Sequence, residues 1–504
     1  MDPISIAEIK QQLEELEIKM TDQINSRDSL LDAVHAKQQQ AAKNLLHYLV
    51  LRDEDIRELQ DKLHIAGLSS LASAESHIHS QLQSILQRLG KKYTEEELET
   101  CDYSFSQQEI GDKSKLLFGK KTNPVIPYIM VTFDSSFAEN YGMIKTLLQN
   151  GMNVARINCA HDDEATWSRM IHLLKKACKR TGLSCKIYMD IAGPKIRTHF
   201  LNGGNKKGKV KIKEGELLWL AENAEGFSNK DIIISPNEKG IIVALKKNDR
   251  IYIDDGMIKG VIEKNKNGKA AMRIVRNSSK KKQIKEGKGI NFPDTEFSIE
   301  SLTDFDRECL PFMCAHADLV GYSFVRTATD LTNLQQQMKR HSPKPPPVIL
   351  KIETPEAVTH LPELLLQAMH EPVFGVMIAR GDLAVEMGFE KMGEIQEEIL
   401  WVCEAAHVPV VWATQVLESL NKSGIATRSE ITDASHAAMA ECVMINKGDH
   451  TIEVIETLQD ILQLTGRHHI KKRFSFRPLT IAKTFLNKHQ PVLEKEIVME
   501  ALWG

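Results

Sequence analysis

The stretch PPPVILKIETPEAV, residues 345–358, begins with three prolines and then an apolar triplet, Val348-Ile349-Leu350, that reads as a short strand buried on both faces. Lys351 and Glu353 follow two residues apart, so they share one face if the strand continues. A single Lys-x-Glu at a strand end is most simply a structural ion pair. What changes its weight is repetition, because strand candidates recur at 126–133, 152–157, 185–190, 318–324, 347–352, 373–378, 409–413 and 442–446, most of them followed by a helix-like segment. That βα rhythm points to an α/β chain with a parallel sheet, and eight strands match a (β/α)8 barrel. A doubly wound open sheet is the competing arrangement. It would want a glycine-rich phosphate loop after the first strand, and neither GxGxxG nor a Walker A sequence is present.

Two regions depart from this rhythm. Before residue 126, Leu13, Leu16, Met20 and Ile24, and later Leu45, Leu49, Ile56, Leu59 and Leu63, recur at helical spacing, which predicts long helices that pack on the main body or pair between chains, the imperfect heptads favouring packing over a coiled coil. A further helix is expected from Ala74 to Leu89, and the polar run from Gly111 to Asn123 reads as a linker. Between 199 and 288 short alternating runs such as Arg250-Ile251-Tyr252-Ile253 lie among Gly, Lys and Asn, the pattern of a small β domain with hairpin turns. Inserted after the third strand, it would rise from the barrel face that carries active sites and act as a lid. The expected division is a helical region at 1–122, a barrel at 123–198 and 289–467, a β-barrel lid at 199–288 and a basic tail at 468–504.

Composition narrows the function classes. A net charge of −3 with 26% charged residues argues against a nucleic-acid or acidic-membrane partner. Eight cysteines without a CxxC pair argue against a disulfide framework or cysteine zinc site and suit a reducing cytoplasm, and no signal-peptide or membrane-spanning run is visible.

In a barrel the strand ends converge on the C-terminal mouth. They supply Arg156-Ile157-Asn158, Asp190, Ser323 with Phe324 and Arg326, Lys351 with Glu353, Ala379-Arg380-Gly381-Asp382, and Ala413-Thr414-Gln415. Glu353 and Asp382, on adjacent strands, offer oxygen ligands for a hard cation such as Mg²⁺. Arg156 and Lys351 supply positive charge for a phosphate, and the amides of Arg380-Gly381-Asp382 could hold a carboxylate at a helix start. Such a site suits a small, doubly anionic substrate held by a divalent metal.

The motifs GMNVARINCAH (151–161), MDIAGPKIRT (189–198), IYIDDGMI (251–258) and GKGINFPD (287–294) resemble the pyruvate kinase family, in its order. So do SFVR (323–326), LKIETPEAV (350–358), IARGDLAVE (378–386), WATQVLESL (412–420) and TRSEITDASHAAM (427–439). The resemblance covers residues 126–466 and implies the glycolytic transfer of phosphate from phosphoenolpyruvate to ADP, giving pyruvate and ATP, with Mg²⁺ or Mn²⁺. It implies Glu353 and Asp382 as metal ligands, Lys351 as the cation on the phosphoryl group in flight, Arg156 on the phosphate, and Thr414 beside the methylene carbon. Ser323, Phe324 and the Ala379, Arg380, Gly381, Asp382 loop are implied as substrate contacts, and Asn158, His161, Arg197 and Lys288 as nucleotide contacts. Oligomerisation is left open. A catalytically silent binding protein, or a metal-dependent lyase of the phosphoenolpyruvate/pyruvate superfamily, are the competing functions.

The departures from the family are specific. At the monovalent-cation site implied by Asn158 and Asp190, Ala160 and Ile191 replace hydroxyl residues and Lys195 replaces a glutamate, a combination resembling members that need no K⁺. VTFDSS at 131–136 replaces a Gly-Pro motif near the nucleotide base, and Met444 to Asp449 lacks the family's usual run after strand eight. No regulatory C-terminal domain is expected, and the helical N-terminal region is expected to cover surface that such a domain would occupy.

Overall fold

A computed structural model describes residues 6–466 apart from 122, 206, 279–281 and 297–298, together with the short strands His469–Ile470 and Arg473–Phe474. Of the expected tail at 468–504, everything else lies outside the described residues.

Eight parallel strands close into a barrel: β1 (Tyr128–Phe133), β2 (Val154–Asn158), β3 (Lys186–Asp190), β4 (Leu319–Tyr322), β5 (Val348–Ile352), β6 (Gly375–Ala379), β7 (Val410–Ala413) and β8 (Cys442–Ile445). Each pairs with its sequence neighbours, and β1 pairs with β8. The doubly wound alternative is thereby excluded. Most of these strands are buried at every residue, as parallel strands sandwiched between a filled interior and a coat of helices must be.

Alternation decides which side chains reach the mouth. Met130, Val154, Tyr188, Ile349, Met377 and Val411 fill the barrel interior, while their neighbours Ala155, Ile187, Leu350 and Val376 face the helices. Two residues further on, each inward face continues into Thr132, Arg156, Asp190, Lys351, Ala379 and Ala413.

One sequence expectation fails at the opposite end. The supposed linker from Gly111 is helical, because a helix spans Tyr103–Phe118 with Asp102 accepting from the Phe105 amide as its cap. Leu117 and Phe118 close the floor of the barrel among Tyr128, Met130 and Val154, and Tyr128 Oη donates to the Gly119 carbonyl at 3.0 Å. Burial of two large apolar side chains outweighs the cost of about 1 kcal/mol for a glycine inside a helix.

The N-terminal helices Ile6–Asn25, Gln39–Asp53, Arg57–Ile65 and Ile78–Arg88 pack onto the barrel coat as one continuous core. Asn44 Nδ2 donates to the Ala405 carbonyl at 2.8 Å, and the Arg52 guanidinium lies 4.7 Å above the Trp401 ring, both on the helix Met392–Ala405 side.

Between β3 and β4 a seven-stranded sheet runs from Thr198–Asn202 to Ile290–Asn291. Its two edge strands are joined by a bridge between Arg197 and Gly289, so the sheet curls around its own core of Leu218, Leu220, Ile251, Ile262 and Met272. All eight cysteines are free, and no described helix is long and apolar enough to cross a membrane.

Candidate active site

The charged strand ends form one linked set at the barrel mouth. Arg156 Nε and Nη2 each lie 2.6 Å from Asp190 Oδ2, and Nη1 donates to Thr132 Oγ1 at 3.0 Å. Lys351 Nζ donates to Ser323 Oγ at 2.7 Å and lies 3.1 Å from Glu353 Oε1 and 3.7 Å from Asp190 Oδ2. The other oxygen of Glu353 accepts the Phe324 amide at 2.7 Å. All of these ionisable side chains are buried, so charges on them are weakly screened.

Burial works to raise the Asp190 carboxyl, but Arg156 and then Lys351 outweigh it and hold the group ionised below its usual range. Glu353 goes the other way. Burial pushes it up, the nearby Asp382 adds to that, and Lys351 opposes both. A buried carboxylate that resists ionisation, with a second, partly exposed carboxylate near it, is a site that gains from a cation.

Asp382 Oδ1 and Oδ2 receive Lys195 Nζ at 2.8 and 3.1 Å, and Asp382 raises the Lys195 ammonium against the lowering by burial. The residues grouped by sequence as a monovalent-cation remnant are thus engaged separately. Asp190 is held by Arg156 and Lys351, Lys195 by Asp382, and Asn158 Oδ1 accepts the Ala160 amide at 3.1 Å.

A cavity of about 430 Å³ gathers these groups, lined by Arg156, Asn158, His161, Lys195, Arg197, Lys288, Ser323, Phe324, Lys351, Glu353, Ala379, Asp382 and Thr414. His161 is held below its ordinary value by burial and by the cations Lys447 and Arg197, which favours the neutral ring. Asp190 stands behind the wall, with no exposed surface.

Arg380 and Gly381, like Asp190, do not line the cavity, and Arg380 is turned to other partners. Its guanidinium binds the Asp433 carboxylate and the carbonyls of Ala413 and Thr414, at 3.0 and 2.6 Å, and stacks 4.4 Å from the Trp412 ring centre. It therefore braces the backbone of Thr414. Gly381, the second residue of the helix Arg380–Met387, lies beside Thr414, and Ala379 offers that helix no side-chain cap.

Backbone strain marks the same place. Thr414 (φ 67°) and Phe324 (φ 55°) sit in the left-handed region, which a β-branched residue such as Thr avoids strongly. Thr414 Oγ1 is buried with no hydrogen-bond partner. A strained residue holding an unsatisfied hydroxyl in a cavity is poised for a ligand.

Three acidic residues of the wall escaped the sequence reading: Asp254, Asp255 and Glu286, all from the inserted sheet. Lys288 Nζ pairs with Asp254 at 2.8 Å. Asp254, Asp255 and Gly256 have φ of 57°, 52° and 78°, so the Asp-Asp-Gly triplet that signals a tight turn was the available clue.

Gly321 on β4 explains how Asp190 fits. It is in register with Asp190, and a methyl group there would lie 2.0 Å from both Asp190 Oδ1 and Tyr188 Oη. Gly321→Ala is expected to destabilise the fold by about 3 kcal/mol, read from the denaturant midpoint, because no flexible side-chain tip can give way. An unchanged midpoint would contradict the packing described.

Comparison with known proteins agrees with the barrel. The family model "Pyruvate kinase, barrel domain" matches residues 128–453. A pyruvate kinase of Thermotoga maritima is 32% identical over 330 residues, which is 64% of this chain and 67% of that protein. Those of Geobacillus stearothermophilus and Staphylococcus saprophyticus are 31% and 28% identical, over 64% and 69% of this chain and 54% and 59% of theirs. The chain thus spans between about half and two thirds of the length of these relatives.

Proposed function

The chain belongs to the pyruvate kinase family, and from that we propose that it transfers the phosphoryl group of phosphoenolpyruvate to ADP, giving pyruvate and ATP, as a cytoplasmic enzyme of glycolysis. The observation that carries the reading is the convergence of Lys351, Glu353, Asp382 and the unsatisfied Thr414 hydroxyl on one cavity.

Glu353 and Asp382 fit a divalent cation, Mg²⁺ or Mn²⁺, because both are oxygen donors, and burial with the charge of Asp382 makes ionised Glu353 costly without added positive charge. When bound, the cation would neutralise charge on the phosphoryl oxygens and on the enolate oxygen. The protein's own part is positioning and electrostatics. Lys351, oriented by Ser323, places its ammonium where charge accumulates on the phosphoryl group during transfer. Arg156, locked by Asp190 and Thr132, holds the substrate phosphate. The first amides of the helix Arg380–Met387 meet the substrate carboxylate, and Phe324 with Ala379 walls the methylene side. Thr414 Oγ1 then relays a proton, through water, to the methylene carbon.

Asn158, His161, Arg197 and Lys288 all line the cavity, which supports them as the nucleotide contacts, with the inserted domain serving as the lid that brings Lys288 to the ADP phosphates. Lys195 serves as a fixed ammonium in place of a monovalent ion, since Ala160 and Ile191 bring no side-chain oxygen. A coupled assay for pyruvate from phosphoenolpyruvate, ADP and Mg²⁺ tests the reaction, and running it in K⁺ and in tetramethylammonium tests Lys195. Turnover in both salts, within a factor of about ten, is expected. No pyruvate while phosphoenolpyruvate still binds would favour the silent reading, and release of pyruvate by C–C cleavage of a larger 2-oxo or 2-hydroxy acid, with no need of ADP, the lyase.

A further inference from the structure

The N-terminal helices hold a group of metal-ligating side chains that the barrel chemistry does not use. His47 projects from the helix Gln39–Asp53, His79 from the first turn of the helix Ile78–Arg88, and Glu99 from the loop that follows it. One donor atom from each lies within 4.8 Å of the other two, and His79 Nδ1 is 3.2 Å from Glu99 Oε2. None of the three lines the barrel cavity.

The neighbours hold these side chains in a ligating arrangement. Glu99 Oε1 accepts the Cys101 amide at 3.1 Å and the Glu99 amide donates to Gln83 Oε1 at 2.8 Å, which leaves Oε2 for the group at His79. On the other side of the imidazole, His79 Nε2 is buried without a hydrogen-bond partner and faces Glu17 Oε1 at 3.6 Å. Glu17 is itself fixed by Lys91 at 2.6 Å and Tyr93 at 2.9 and 3.0 Å. A carboxylate behind the distal nitrogen of a histidine is the usual support of a metal-bound imidazole. His47 is 4% exposed, so its ring is held in place by the surrounding helices with one donor atom within 4.8 Å of those of His79 and Glu99.

From this geometry we infer that His47, His79 and Glu99 form a divalent transition-metal site, best suited to Zn²⁺, that clips three segments of the N-terminal region together. Two imidazole nitrogens and one carboxylate oxygen are a known zinc donor set that leaves one position for water or a further ligand. The same set is poor for Mg²⁺ or Ca²⁺, which take oxygen ligands, so the cation of the catalytic site does not compete. The His79 ring lies between the two carboxylates, with Nδ1 3.2 Å from Glu99 Oε2 and Nε2 3.6 Å from Glu17 Oε1, and the metal would sit on the Glu99 side.

The test uses the full chain, stripped with a chelator, mixed with a small excess of Zn²⁺ in millimolar Mg²⁺, desalted and analysed for metal. About one Zn²⁺ per chain is expected, retained equally by Asp382→Asn, which excludes the catalytic site, and lost in both His47→Phe and Glu99→Gln. His47→Phe keeps the ring volume and leaves no charge stranded, so its circular dichroism should match the parent. Glu17→Gln should keep the zinc but weaken it about tenfold. Co²⁺ in place of Zn²⁺ should give visible absorption bands that vanish in His47→Phe. Absence of retained Zn²⁺ in the parent, or equal retention in folded His47→Phe and Glu99→Gln, would overturn the assignment.

Discussion

Lys351→Met is expected to slow phosphoryl transfer at saturating substrate by about a thousandfold, roughly 4 kcal/mol in the barrier, while phosphoenolpyruvate still binds. Methionine keeps most of the length and apolar stem of lysine and removes the charge. In the wild type the ammonium lies 2.7 Å from Ser323 Oγ and 3.1 Å from Glu353 Oε1, 7% exposed, so little water competes for it and its field acts at nearly full strength on a developing phosphoryl charge. The ground-state substrate keeps Arg156, which is why KM should change far less than kcat. The loss also removes the one group that opposes the upward pull of burial on Glu353 most strongly. A divalent cation needs that carboxylate ionised, so the variant's apparent affinity for Mn²⁺ should fall at a higher pH than the wild type's. Quench-flow rates with direct Mn²⁺ titration between pH 6 and 8, an interval chosen around the ordinary enzyme range, separate the two effects. A kcat within about tenfold of wild type would remove Lys351 from the mechanism.

Glu353→Gln should have the second largest effect, a loss of about a hundredfold in turnover at millimolar Mg²⁺, partly regained as the cation is raised. Glutamine retains the acceptor for the Phe324 amide, now 2.7 Å from Oε2, and so preserves the strained Phe324 turn. What disappears is one of two negative charges, leaving Asp382 to share its oxygens between Lys195 and any cation. The same change relieves the fold, because a buried carboxylate held above its usual pKa is a cost in the metal-free protein. Lower activity with equal or higher thermal stability is therefore the expected pair of results, and parallel loss of both would mean that Glu353 acts as a structural ion-pair partner of Lys351.

Much of this was legible in one dimension. The βα rhythm and the charged strand ends are local patterns, and alternation along a strand carries Arg156, Asp190 and Lys351 to the inner face once Val154, Tyr188 and Ile349 are known to point inward. The helix Tyr103–Phe118 was not legible, because Gly111 and the polar residues around it conceal a periodicity whose purpose is a barrel floor built from residues far along the chain, from Tyr128 to Val411. Asp254 and Asp255 were hidden for a similar reason, since only the curl of the inserted sheet returns them to the mouth.

The sequence alone determined the eight strands, the inserted β sheet, the family and the identity of the charges at the mouth, because those depend on periodicity and on residue type. Tertiary structure decided how the charges pair. Lys195 goes to Asp382, Arg156 to Asp190, Arg380 turns away to Asp433, and Thr414 is left strained with a bare hydroxyl. It also brought His47, His79 and Glu99 together. Pairing energies fall off within a few ångströms and depend on burial, and neither separation nor burial is a property of neighbours along the chain.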